Sequence, residues 1–327
     1  MFLVLTSSCK ENSQIDSYNF VLKRRIILDQ KENLASIQSL DINEKGELLV
    51  TDQTLKQVIL YKDDGSLIKK LSMQDCDPGF QFDPFNAKFH PKGGIFVLHA
   101  NTPLGTWFKA DGTCVMKTSR TLSVVMGIDI GENGDIYAYG KGLKRIQIYD
   151  SLGAKKNAFD IEDNFPLANR HIATNSIRYV KDNMYISLPF SSNMLKYTIT
   201  GQFLGSSNIQ HSSLRMARSD LKNKDDFSPI FQLSLSLGSH KFGNNALLTF
   251  FNSFNVKRKP EARYSVMLLD ENGNQKSFVS TSILVLATHN DQLYAFRETT
   301  KQESDKICPK CGGMANPGLA VYDFKHK

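Results

Sequence analysis

A chain of 327 residues, 41% of them apolar, can bury a large core, so its size suits either two ordinary domains or one large all-β domain. No window of eighteen apolar residues follows the extreme N-terminus, which excludes a membrane-spanning helix there. The net charge of +7 is split among Lys23-Arg24-Arg25, Lys69-Lys70, Lys155-Lys156 and Lys257-Arg258-Lys259 and interleaved with 33 acidic residues, which reads as solvated faces and not as the continuous basic stripe of a nucleic-acid binder.

The chain opens on "MFLVLTSSCKENSQ": a short apolar stub, small residues, Cys9, then a polar spacer. This resembles the end of a bacterial lipoprotein signal, which implies acylation of Cys9, with residues 1–14 as signal remnant and tether. The alternative is an untethered terminus. "YNFVLKRRIILD", Tyr18 to Asp29, follows as a strand-like run that belongs to no repeat of its own.

From there the turns reveal a repeat. "DINEKGELLVTDQTLKQVILYKDDGSLIKKL" places turns at Gly46 and Gly65, with Leu48-Leu49 after the first and Tyr61 before the second. The next copy has Gly93, Ile95-Phe96, Phe108 and Gly112; the third has Gly134, Ile136-Tyr137, Tyr149 and Gly153; the fourth has Asp182, Met184-Tyr185, Tyr197 and Gly201. In all four copies the two turns are nineteen residues apart, while the copies themselves are separated by 47, 41 and 48. A constant interior between variable spacers marks a structural unit, here a four-stranded antiparallel meander.

A fifth copy (Asn245, Leu247-Leu248, Leu269, Gly273) carries an insertion near Asn255 to Arg263, and a sixth (Asp291, Leu293-Tyr294, Tyr322) ends before its fourth strand. The N-terminal run can supply that strand and close the ring without leaving an unpaired edge. The expected fold is therefore an all-β, six-bladed propeller over residues 15–327. Tyr61, Phe108, Tyr149, Tyr197, Leu269 and Tyr322 should pack between neighbouring blades.

The G-x-[LIM]-[LFY] strand opening and the D-x-G hairpin resemble the NHL and TolB-like six-bladed propellers. With the lipoprotein-like start, the chain resembles the TolB-like propeller lipoproteins of gut Bacteroidetes. That resemblance implies an extracytoplasmic place, in the periplasm or at the outer membrane of a Gram-negative bacterium, and a binding role. It carries over no catalytic residue.

In a propeller, the loops into each blade and those between second and third strands gather on one face around the channel, where polar groups can converge on a ligand. Those loops supply Asp52, Gln53, Asn86, His99, Asn101, Lys141, Arg170, His171, Asn175 and Arg297 as candidate ligand-binding residues. Basic and His side chains outnumber acids among them, so an anionic ligand competes with the reading of ordinary solvated loop charges. The expected partner is a small molecule, glycan or protein bound by a monomer without a cofactor. Membrane contact is expected only through a lipid on Cys9.

The competing reading is a metal-dependent hydrolase of the six-bladed lactonase kind, with Asn86 and Asn175 among oxygen ligands to a hard cation. It lacks carboxylates: the positions before the first strands read Gln38-Ser39, Met126-Gly127 and Ile283-Leu284. The spacer Ser206 to Phe231 has Leu214, Ala217 and Leu221 at helical spacing, which suits a short lid or a solvated excursion. "CPKCGG" falls in the blade-six insertion, where Cys308 and Cys311 supply half of a zinc site, a local disulfide or free thiols.

Overall fold

The repeated glycines close tight turns that L side chains resist. Gly46, Gly65, Gly93, Gly112, Gly134, Gly153, Gly201 and Gly273 all have positive φ. Each donates its N–H to the carbonyl three residues back, as in Gly65 N to Lys62 O at 3.0 Å. The computed structural model of the chain describes residues 18–73, 77–100, 105–117, 125–140, 145–151, 153–161, 177–189, 193–209, 211, 214, 234–252, 263–298 and 315–326, and all regular structure within them is strand.

Strand β1 (Tyr18–Ile26) precedes the blades. Blade one is β2 (Ser39–Ile42), β3 (Leu48–Asp52), β4 (Gln57–Tyr61) and β5 (Leu67–Lys70); blade two is β6 (Pro84–Phe89), β7 (Ile95–His99), β8 (Gly105–Phe108) and β9 (Cys114–Lys117). Blade three is β10 (Val125–Ile130), β11 (Ile136–Gly140), β12 (Arg145–Tyr149) and β13 (Lys155–Asp160); blade four is β14 (Ile177–Val180), β15 (Asn183–Ser187), β16 (Asn193–Thr198) and β17 (Phe203–Asn208). Blade five is β18 (Leu235–Phe242), β19 (Asn245–Phe251), β20 (Tyr264–Leu269) and β21 (Gln275–Thr281). Blade six combines β22 (Val285–His289), β23 (Gln292–Arg297) and β24 (Gly318–His326) with β1, in the order β1-β24-β23-β22. The innermost strands touch in ring order, β2, β6, β10, β14, β18, β22 and back to β2, so the six four-stranded antiparallel blades form a closed propeller.

The N-terminal run thus completes blade six as its outer strand, with Tyr18 opposite His326 and Ile26 opposite Leu319. Gly65 locks blade one against this seam. Its carbonyl accepts Asp29 N at 2.9 Å, and a Cβ there would stand 2.2 Å from Ile27 O. The spacer expected to start at Ser206 begins later, because Ser206 to Asn208 belong to β17.

Six apolar clusters hold the blades together, each shared between neighbours. Tyr61 packs with Tyr294 and Val321 of blade six, Phe108 with Leu49 and Leu60 of blade one, and Tyr149 with Phe96 and Trp107 of blade two. Tyr197 meets Tyr137 and Ile146 of blade three, Leu269 meets Tyr185 and Met194 of blade four, and half-buried Tyr322 packs against the cluster containing Leu247 and Val266 of blade five. This position packs between blades in every copy, as an aromatic in five and as Leu269 in the fifth.

Candidate ligand cavity at the channel mouth

Around the channel, each inner strand sets one residue opposite the second apolar residue of the repeat. Those residues are Asp41, Lys88, Asp129, Arg178, Ser239 and Ala287, facing Leu49, Phe96, Tyr137, Tyr185, Leu248 and Tyr294. Charge alternates through blades one to four and stops at blades five and six.

Two like-built latches result. Asp41 accepts Lys88 Nζ at 3.0 Å and the backbone N–H of Phe89 at 2.8 Å. Asp129 accepts Arg178 Nη1 at 3.2 Å and the N–H of Tyr179 at 2.7 Å, while Lys88 Nζ stands 3.9 Å away. Arg178 also donates through Nε to Ser239 O at 3.1 Å, carrying the network into blade five. Each carboxylate therefore ties one blade to the next by an ion pair and a charge-assisted main-chain hydrogen bond.

Beyond this ionic belt, toward the starts of the inner strands, lies a cavity of about 400 Å3. Its wall includes Ile37, Gln38 and Ser39 of blade one, Phe85 and Asn86 of blade two, Leu235, Leu237 and His240 of blade five, and Leu284, Val285 and Leu286 of blade six. Phe251 at the end of β19, Tyr264 at the start of β20 and Arg263 just before it line it too.

Three of these apolar side chains owe their place to β-bulges. The ladder slips between Pro84 and Asn86, between Ser236 and Gly238, and between Val285 and Ala287, leaving Phe85, Leu237 and Leu286 as the extra residues. A bulge re-aims the inserted side chain, and here all three line the cavity. The blade-five wall is braced by hydrogen bonds. Ser265 Oγ donates to Asn252 Oδ1 at 2.7 Å, Asn252 Nδ2 to Tyr264 O at 2.9 Å, and Ser234 Oγ to Asn252 O at 3.0 Å. The guanidinium of Arg263 lies 5.7 Å from the Phe251 ring centre and 5.8 Å from that of Tyr264.

Two polar groups in this wall are left over. Ser39 Oγ and His240 Nδ1 are buried and have no hydrogen-bond partner among the described residues, with Ser39 5% exposed and His240 3% exposed. Burial holds the His240 imidazole well below its ordinary range, and the nearby charges of Arg178 and Lys88 push the same way. His240 is therefore neutral near pH 7.

The residues expected at the site divide into three groups. Asn86 lines the cavity. Asp52 is wholly buried and shapes the loop leading into blade one: its carboxylate accepts Ala35 N at 2.6 Å, Ser36 Oγ at 3.1 Å and Leu55 N at 3.1 Å. His99 is equally buried, its Nε2 2.7 Å from Thr106 Oγ1 and its ring met edge-on by Phe80 and Phe82. Gln53 sits half-buried in the turn after β3, and Arg297 is half-buried at the end of β23, opposite Gly318. Neither is part of the cavity wall described above. Asn101, Lys141, Arg170, His171 and Asn175 lie outside the described residues, as do Cys9, Cys308 and Cys311 and the segment from Arg215 through Lys224. Among the described residues no three His, Cys, Asp or Glu side chains gather as a metal-ligand set.

Ser39, His240 and the bulged residues are the part that sequence reading missed. Counting back seven to nine residues from the second apolar residue of each repeat reaches the belt positions, so the belt had a signal. The bulges had none beyond Gly238, since glycine inside a strand often marks one.

No family model and no curated protein matches the sequence. Solved structures do match. A member of the DUF4221 family from Bacteroides vulgatus superposes with a TM-score of 0.66 at 11% identity, covering 96% of this chain and 99% of that one. The likeness is one of fold. A Bacteroides fragilis protein classed by name as exported gives 0.61 at 10% identity, with 97% and 96% covered, and virginiamycin B lyase from Staphylococcus aureus gives 0.54 at 11%, with 85% and 82% covered. Identities this low transfer the propeller and no activity.

Proposed function

We propose that this chain is an extracytoplasmic, lipid-anchored propeller that binds a small organic ligand in the channel-mouth cavity, without catalysis. The observation that carries the reading is the cavity: a preformed, mostly apolar concavity with a few convergent polar groups, the usual character of a small-molecule site. The belt below it cross-ties blades one to four, and the braced blade-five wall is preorganised, so little ordering opposes binding.

The location rests on separate support. The sequence begins as a TolB-like propeller lipoprotein would, the fold is shared with a Bacteroides protein classed by name as exported, and Cys114 is disulfide-bonded, which suits an oxidising compartment. The partner of Cys114 lies outside the described residues. Fractionation tests the anchor: wild type should partition with membranes and Cys9→Ala should not, and equal recovery of both as soluble protein would remove it.

The binding reading is tested with Prodan, a neutral naphthalene dye whose emission shifts to the blue in apolar surroundings. One Prodan should bind per chain, and Leu237→Trp, which fills the cavity from a bulge, should reduce its affinity at least about tenfold, the scale of losing one well-packed contact region. A variant that is folded by circular dichroism yet binds the dye like wild type would place the dye elsewhere and sink the assignment.

A further inference from the structure

We infer that the cavity selects an uncharged ligand group, a hydroxyl or carboxamide carried on an apolar body and hydrogen-bonded by Ser39 and His240. This rests on the binding reading above and specifies its chemistry.

The walls set the body of the ligand. Leu235, Leu237, Leu284, Leu286 and Phe85 offer apolar surface and no charge. The polar part is set by the atoms left unmatched. Ser39 Oγ comes from blade one and His240 Nδ1 from blade five, both buried, both in the cavity wall, and neither bonded among the described residues. A buried polar atom without a partner is costly, and native structures satisfy nearly all of them, so such atoms in a cavity wall mark where a bound molecule supplies the missing bond.

The two belt cations beside His240 are already matched, Lys88 by Asp41 and Arg178 by Asp129, and the wall's Arg263 lies against the Phe251 and Tyr264 rings. A neutral imidazole presents one donor and one acceptor, and a serine hydroxyl presents both. A hydroxyl or carboxamide is complementary to that pair because it too gives and accepts. A carboxylate can only accept, and beside Ser39 and His240 it would lose its hydration where both belt cations are already neutralised. The depressed basicity of His240 acts the same way, since the ring stays uncharged and does not become a counter-ion.

Competition against Prodan at pH 7.5 separates the possibilities, with 2-naphthol, 2-naphthoate and naphthalene as probes of one shape and three polarities. On wild type, 2-naphthol should displace the dye at a concentration about tenfold below that of either other probe, the scale of one satisfied buried hydrogen bond. His240→Phe should erase this advantage, read within the variant as the ratio of naphthol to naphthalene competition. Ser39→Ala, a milder change that removes only a hydroxyl, should reduce the advantage in the same direction. Naphthoate binding as well as naphthol, or a naphthol advantage that survives in both variants, would overturn the selection rule and leave the cavity reading standing. Failure of Prodan and all three competitors to bind folded wild type would overturn both.

Discussion

Asp129→Ala should be among the most destabilising single substitutions in this protein, at about 3–5 kcal/mol, the range for removing one member of a buried charge pair. The carboxylate is 5% exposed, takes Arg178 Nη1 on Oδ1 and the Tyr179 N–H on Oδ2, and has Lys88 at 3.9 Å. Its removal would strand a guanidinium, weaken the compensation of a buried ammonium and orphan a main-chain donor. Urea denaturation measures the loss. An exposed pair supplies the control: Arg145 and Asp160 are closer, at 2.7 Å, but both face solvent, so Asp160→Ala should barely shift the midpoint. A double replacement, Asp129→Leu with Arg178→Met, should recover much of the loss, because removing both charges strands neither. If Asp129→Ala unfolds no earlier than Asp160→Ala, the belt contributes nothing to holding the blades.

Deleting residues 1–30 should lower the melting temperature by about 10 °C or more, or prevent folding, whereas deleting 1–14 should leave it within about 2 °C. The longer deletion removes β1, and with it the hydrogen-bonded edge of β24 from Leu319 to His326. It also removes Ile26 and Leu28, which are 2% and 0% exposed and pack with Tyr61, Tyr294 and Leu319 across the seam between blades six and one. Two such core side chains account for about 4–10 kcal/mol at the usual cost of truncating buried aliphatics, and in a domain of this size each kcal/mol shifts the midpoint by about 1.5 °C; the lost β1–β24 pairing adds to that. Phe20 and Tyr18 add ring contacts to Phe324, at 5.2 and 4.7 Å between centroids. Differential scanning calorimetry of the two truncations decides the matter: coincident transitions would mean that β1 is not part of the cooperative unit.

The blade count was legible in the sequence because a hairpin turn is a local event. Eight turn glycines at positive φ, nineteen residues apart within a copy in the first three copies, mark strand ends without reference to anything distant. The interblade role of Tyr61, Phe108, Tyr149 and Tyr197 followed, since a large apolar residue at one fixed distance from a turn always meets the same face of the neighbouring blade. Even ring closure was readable, as one strand was in excess at the start and one was missing at the end.

The site was legible only in outline. Sequence reading noted that the starts of the inner strands were neutral or apolar, and Gln38-Ser39 and Leu284 line the cavity. Of the named side chains, Asn86 reached the wall, while Asp52 holds a loop and His99 bonds Thr106 and meets the edge-on Phe80 and Phe82 rings. The bulged residues were hidden for a geometric reason: side chains alternate along a strand, so a single inserted residue reverses which of them faces the channel. Whether Phe85, Leu237 or Leu286 is that residue depends on how the partner strand pairs. Likewise Asp41 meets Lys88 across 47 residues of chain, and Asp129 meets Arg178 across 49, only because the ring brings consecutive inner strands together. Local turns and apolar spacing determined the propeller, and long-range pairing decided which side chains line its channel.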